Sequence, residues 1–307
     1  MTGTRVAIVG AGLMGTGLAY SFAARGDDVR IYDLDGGALA RATKEIARIS
    51  NLFGTAPPEV LPCRDLASAV RSSDLVIEAA VENAAVKREI FATVSEATAP
   101  ETLLATNTSS IPLRELVPAV IHPGRLVGAH FWNPPYAVRL VEVVEHPQVS
   151  PDALTEIVAI LQAADFIPVV VHSDIPGLIG NRLQHALKRE AIALVAQGVC
   201  DAETVDTVAK LTIGRRLAVL GPLEQSDLVG LDLTLAIHET LMPDLDRTDH
   251  PHPYLVSLVE EGRLGMKTGR GFRSWTPEQA EAVRRRLEHH VLAGVLPPGG
   301  SGDAPTE

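Results

Sequence analysis

Only two cysteines occur in 307 residues, Cys63 and Cys200, far apart and in no metal-ligand or redox spacing. That scarcity excludes a disulfide framework and fits a reducing, cytoplasmic compartment. Positive charge is short as well: 27 Lys and Arg stand against 38 Asp and Glu, a formal net charge of -11. Such a deficit argues against nucleic acid or an anionic membrane as the main partner, because both are bound through clustered cations. No apolar run approaches the ~20 residues that a spanning helix needs. The opening MTGTRVAIVGAG also lacks a basic leader feeding a long apolar stretch, so the chain reads as soluble. His250 with His252, and His289 with His290, have no third and fourth ligand at known spacing, and no metal is expected.

What is present is an alternation of short apolar runs with amphipathic stretches. Residues 6–9, 29–32, 75–77, 103–105, 126–129, 140–144 and 167–171 read as strands; 13–25, 36–52, 84–99 and 151–164 read as helices between them. Parallel strands joined by helices give an α/β layer fold, here a doubly wound sheet. Near residues 173–176 the texture changes. Residues 178–199, 202–211, 226–241, 253–262 and 277–293 read as helices with few strand signals between them. The expected organisation is a sheet domain over residues 1–175, an all-helical C-terminal domain over 176–293 and a disordered tail over 294–307, which reads LPPGGSGDAPTE from residue 296.

Gly10, Gly12 and Gly15 form G-x-G-x-x-G directly between the first strand and the first helix. The first glycine permits a tight turn, the second admits a pyrophosphate to bare backbone, and the third lets helix and sheet pack closely. Free amides at the helix start, around Leu13 and Met14, then face the phosphates. Asp33 ends the second strand, where a carboxylate accepts hydrogen bonds from ribose hydroxyls and repels a phosphate. Leu34 and Asp35 follow it without an arginine, so NAD is expected rather than NADP.

A nicotinamide at the carboxyl ends of the strands needs a base that takes a hydroxyl proton while hydride leaves the adjacent carbon. The segment AHFWNPPYAVRLVEVV, residues 129–144, supplies one. His130 ends a strand, and histidine is the residue type suited to such a base. Glu142 sits among Leu140, Val141, Val143 and Val144, where an ionised carboxylate is costly unless a partner compensates it. Twelve residues apart on neighbouring strands, the two can meet, the glutamate fixing the ring tautomer and stabilising imidazolium. By themselves, Glu82 and Lys87 read as a helix pair, Asn107 as an Asx turn and Asn133 as a bend brace ahead of Pro134. Lys267, beside glycines, reads as a surface turn.

The motifs VGAGLMGTG, DLVIEAAVEN, TNTSS, GAHFWNPP, LVEVV, DIPGLIGNR and MKTGRGF stand in the order seen in the L-3-hydroxyacyl-CoA dehydrogenases, and the chain resembles that superfamily over nearly its whole length. The resemblance implies a Rossmann-type NAD domain followed by a helical one. It implies His130 as catalytic base, Glu142 as its orienting partner, and Ser109 and Asn181 as groups around the substrate oxygen, Asn181 reaching back across an interdomain cleft. It also places Glu82, Lys87, Asn107 and Asn133 near the nicotinamide half of the cofactor, adds Lys267 to the cofactor set, and implies a homodimer. The apolar positions Leu183, Leu187, Ala191 and Leu194 give that dimer a face in the helical domain.

One part of the pattern departs from the family. Its acyl-CoA members carry a lysine-bearing helical arm after the second strand. Here Pro57, Pro58 and Pro62 forbid a continuous second helix, and residues 53–73 hold only Arg64 and Arg71 as cations. The expectation is an NAD-dependent dehydrogenase that oxidises a secondary alcohol, a 3-hydroxy acid or its thioester, to the ketone. Two alternatives stand beside it: a dehydrogenase of a free small molecule, as in the carnitine, gulonate and pyridine-carboxylate relatives, and a crystallin-like protein that keeps NAD without turnover.

Overall fold

A computed structural model describes residues 3–294. The tail expected from residue 294 lies, from residue 295 onward, outside the described residues. The chain divides into two compact units: one runs to Ile179 and is rejoined by the chain from His289, and the other is Gly180–Glu288.

The first unit is built on eight strands: β1 (Arg5–Val9), β2 (Asp28–Tyr32), β3 (Val60–Cys63), β4 (Leu75–Glu78), β5 (Leu103–Thr106), β6 (Leu126–Phe131), β7 (Leu140–Val144) and β8 (Ile167–Val171). They form one sheet in the order β3-β2-β1-β4-β5-β6-β7-β8. All neighbours are parallel except β6 and β7, which run antiparallel. The sheet is covered on both faces, so its central strands are mainly apolar, with Glu78, Thr106 and His130 at or near the carboxyl ends of β4, β5 and β6. Val6 and Ile8 turn to one core together with α1 (Leu13–Ala23), α2 (Gly36–Leu52) and α5 (Pro151–Ala163); Ala7 and Val9 turn to the other, with α3 (Leu66–Val70) and α4 (Ala84–Ala97). Asp35 caps α2 by accepting from Gly37, and Asn83 caps α4 by accepting from Ala85 and Val86, so each helix starts where a short polar side chain replaces a missing carbonyl.

Two features depart from the sequence reading. β3 carries a proline, Pro62, and has no apolar alternation; it survives because it is the edge strand, where a missing N–H breaks no ladder on the open side. In the second unit the stretch read as one helix over residues 226–241 is two, α9 (Pro222–Val229) and α10 (Leu231–Leu241), broken at Gly230 with φ of 98°. That unit also contains α6 (Gly180–Ala196), α7 (Ala202–Ala209), the short α8 (Arg215–Leu217) and α11 (Pro253–Glu260), while α12 (Pro277–Ala293) begins within it. Among the described residues no helix is long and apolar enough to cross a membrane.

Candidate active site

The turn after β1 is shaped by backbone crowding at two glycines and by open space at a third. Gly10 has φ of 110°, and a Cβ there would lie 2.6 Å from the Ala79 carbonyl oxygen. A Cβ on Gly15 would lie 1.8 Å from the Gly10 carbonyl oxygen, so no side chain fits. Around Gly12 nothing stands within 4 Å of a built Cβ. The open side therefore falls at the start of α1, where Leu13, Met14 and Gly15 precede the first intrahelical bond, from the Thr16 amide to the Gly12 carbonyl. Unspent amides of this kind receive a pyrophosphate.

Asp33, following β2, braces this turn. One carboxylate oxygen accepts from the Ala11 amide at 2.8 Å and the other from the Asp35 amide at 2.8 Å. A carboxylate has about four acceptor positions, which leaves capacity for two ribose hydroxyls. The Gly12 opening and Asp33 thus fit a dinucleotide.

The antiparallel β6–β7 pair places His130 directly opposite Glu142 in the ladder, the separation at which cross-strand side chains touch. Nδ1 of His130 lies 2.8 Å from Oε2 of Glu142, with both residues buried. The other carboxylate oxygen accepts from the Ile179 amide at 2.8 Å. The Glu142 carboxylate accepts a hydrogen bond from the Nδ1–H of His130, which leaves Nε2 with a lone pair, the arrangement of a general base. Trp132 meets the His130 ring edge-on, centroids 5.4 Å apart, and its buried indole N–H has no acceptor among the described residues.

The turn after β5 carries Asn107 and Ser109. Ser109 and His130 line one pocket, with Thr108, Ser110, Ile111 and Leu178 in its wall. Asn107 is committed to the framework: its Oδ1 accepts the Phe131 amide at 2.8 Å, tying this turn to the end of the His130 strand. Glu82 gathers the turn, its Oε1 accepting from the Thr108 hydroxyl at 2.6 Å, the Ser110 hydroxyl at 2.9 Å and the Ser109 and Ser110 amides at 3.1 Å each. Partial burial raises the Glu82 carboxyl, but the Thr108 and Ser110 hydroxyls, then Lys87 and the Ser110 amide, outweigh it and hold it below the usual carboxylate range.

Lys87 stands apart from the surface. Its side chain is 1% exposed, and Nζ donates to both oxygens of Glu78 at 2.7 and 2.9 Å and approaches the Ala80 carbonyl at 3.4 Å. Asn133 is exposed and precedes Pro134 through a cis peptide bond. Its loop is seated on α1, where a Cβ on Gly17 would lie 2.7 Å from Pro135. Asn181 opens α6 and Lys267 lies exposed in the turn Met266–Thr268, both in the second unit.

Glu78, Gly17 and Trp132 were not singled out by the sequence reading. Glu78 carries the signal that marked Glu142, an acid closing an apolar strand (Leu75, Val76, Ile77), and that signal was available.

The sequence profile of the 3-hydroxyacyl-CoA dehydrogenase NAD binding domain matches residues 5–175, and that of the 3-hydroxyacyl-CoA dehydrogenase C-terminal domain matches residues 177–275. A 5-formyl-3-hydroxy-2-methylpyridine 4-carboxylate 5-dehydrogenase of Mesorhizobium japonicum is 33% identical, over 94% of this chain and 96% of its own. A probable 3-hydroxybutyryl-CoA dehydrogenase of Bacillus subtilis is 36% identical, over 87% of this chain and 96% of its own. The crystal structure of a dehydrogenase of 5-formyl-3-hydroxy-2-methylpyridine 4-carboxylic acid, described as an NAD+-dependent dismutase, superposes with a TM-score of 0.89 at 33% identity, covering 95% of this chain and 97% of that one. With both halves matched in order, the chain belongs to the 3-hydroxyacyl-CoA dehydrogenase family, as an NAD-dependent oxidoreductase.

Proposed function

We propose that the protein oxidises a secondary alcohol to a ketone, with His130 as the base and a free 3-hydroxy acid, not its CoA thioester, as the substrate. The observation that carries the chemistry is the buried His130–Glu142 contact of 2.8 Å on the sheet that also bears the dinucleotide turn. NAD, held at the Gly10–Gly15 turn and by Asp33, supplies the hydride acceptor. Nε2 of His130 takes the hydroxyl proton as the carbon–hydrogen bond gives up its hydride, and Glu142 offsets the charge that forms on the ring. The Ser109 hydroxyl, which lines the same pocket as His130, hydrogen-bonds the substrate oxygen. Glu82, Asn107 and Asn133 order the nicotinamide side, and Lys87 acts there through Glu82.

The choice of a free acid is supported by the connection between α2 and β3. It consists of residues 53–59 alone, too short for a helical arm and without a lysine or arginine to meet phosphates. The same connection, together with the 0.89 superposition, favours a second reading, in which the substrate is an aromatic aldehyde acid whose hydrate presents the hydroxyl to His130. Parallel assays of NADH formation from 3-hydroxybutyrate, 3-hydroxybutyryl-CoA and a pyridine aldehyde carboxylate test both. Turnover of the free acid with little from the thioester is expected. Preference for the thioester would sink the free-acid reading, and turnover of the aldehyde alone would transfer the assignment to the second.

A homodimer through the helical unit belongs to the same proposal. Leu223, Leu228, Leu231, Leu233, Leu235 and Leu241 of α9 and α10 are all at least half exposed, and neither helix has a buried residue. Apolar surface on that scale marks an interaction face. Sedimentation showing only monomer at assay concentrations would refute it.

A further inference from the structure

Three charged side chains of the first unit form a line that ends on the Ser109 turn. Glu78, the last residue of β4, is fully buried, and its two oxygens accept from Lys87 Nζ at 2.7 and 2.9 Å, from the Thr106 hydroxyl at 2.7 Å and from the Ala80 amide at 2.7 Å. Lys87 Nζ stands 3.4 Å from Oε2 of Glu82. Glu82 then gathers Thr108, Ser109 and Ser110 on its other oxygen. Thr106 and residues 108–110 are therefore gripped from two points of a single ion-paired line.

A buried ion pair is a poor source of stability, since an apolar pair of similar volume serves as well or better. The Glu78–Lys87 pair has a geometric use instead. Without the lysine, two carboxylates would face each other across the start of α4, and like charges at close range repel. The lysine lets Glu78 hold β5 and Glu82 hold the turn that follows β5, at a fixed spacing. Lys87 has three N–H donors, and Glu78 and the Ala80 carbonyl occupy them, so it is not presented to a phosphate or a substrate.

We infer that Glu78 and Lys87 are positioning residues of the reaction: through Glu82 they fix the place of the Ser109 hydroxyl against the substrate oxygen. The inference rests on the assignment of Ser109 made above. It is tested by a double-mutant cycle on the full chain, combining the charge-free pair Glu78→Gln with Lys87→Met and, separately, Ser109→Ala. The paired replacement leaves no unpaired charge at the buried Glu78 position, while Glu82, which is 39% exposed, loses Lys87 but keeps its hydroxyl and amide donors. Thr106→Val, which removes one grip and leaves the ion pair intact, serves as the second perturbation if the paired variant melts early.

The expected result is a loss of about tenfold in kcat/KM for either perturbation in the Ser109 background, shrinking to less than about twofold once Ser109 is alanine. Equal losses in both backgrounds would show that the line acts independently of Ser109 and overturn the inference while leaving Ser109 in the site. No loss in the Ser109 background overturns it too. A Ser109→Ala variant with wild-type kcat/KM would remove the Ser109 assignment itself, and the inference with it.

Discussion

Replacing Glu142 by glutamine tests how much of the rate depends on one carboxylate. Glutamine keeps the size and keeps an oxygen for the Ile179 amide, which lies 2.8 Å from Oε1. It removes the charge facing Nδ1 of His130. A hydrogen bond to a charged group contributes about 1.5–3 kcal/mol, and at about 1.4 kcal/mol per tenfold its loss alone slows the reaction by about 10- to 150-fold. The amide adds a second effect. If its NH2 turns toward Nδ1, the ring proton moves to Nε2 and no lone pair faces the alcohol, a tautomer error that cost about 10⁴-fold in a serine protease. The combined expectation is a fall in kcat of about 10² to 10⁴. Steady-state NADH formation reads the loss, and fluorescence titration with NADH should show an unchanged Kd. A kcat within about threefold of the parent would mean that the carboxylate neither fixes the tautomer nor stabilises imidazolium, and the reasoning would fail.

Other consequences can be measured independently. Gly12→Ala should melt within about 2 °C of the parent, since a methyl there meets no protein atom, yet weaken NADH binding at least about tenfold, whereas Gly15→Ala should lose several degrees of Tm because its Cβ has nowhere to go. Asp33→Ala should weaken NADH by about 10- to 100-fold through lost ribose contacts and a loosened turn, and an unchanged Kd would remove Asp33 from the cofactor site. His146 is held below the usual imidazole range, first by burial, against the Leu126 and Pro123 carbonyls. The folded state therefore binds its proton less readily than the unfolded chain, so stability falls as pH drops below the ordinary value near 6.5. His146→Asn should flatten that part of the Tm-versus-pH curve, and an identical slope would show that another group carries it.

How far the site could be read from sequence depends on the kind of residue. Gly10 and Gly15 were legible because each answers a backbone demand that no other residue meets, and Gly12 because a bare backbone leaves the room a pyrophosphate needs. His130 and Glu142 were legible because an acid inside an apolar strand must be compensated, although the antiparallel turn of β7 that sets them face to face is a property of the sheet. Strand β3 was not legible, since Pro62 argues against a strand everywhere but at an edge, and edge position is decided by the rest of the sheet. The break at Gly230 was hidden by the apolar spacing of Leu231, Leu233 and Leu235, which continues the pattern across it. Lys87 was placed beside the cofactor by resemblance; its burial against Glu78 depends on how α4 packs on β4, which periodicity does not encode.

The most direct test of the central claim is pre-steady-state turnover of His130→Ala with NAD and the free hydroxy acid, alongside NADH binding. The account predicts that hydride transfer falls by about 10² to 10⁴ while the Kd for NADH stays near that of the parent. Hydride transfer at the parental rate, with the cofactor bound normally, would contradict it.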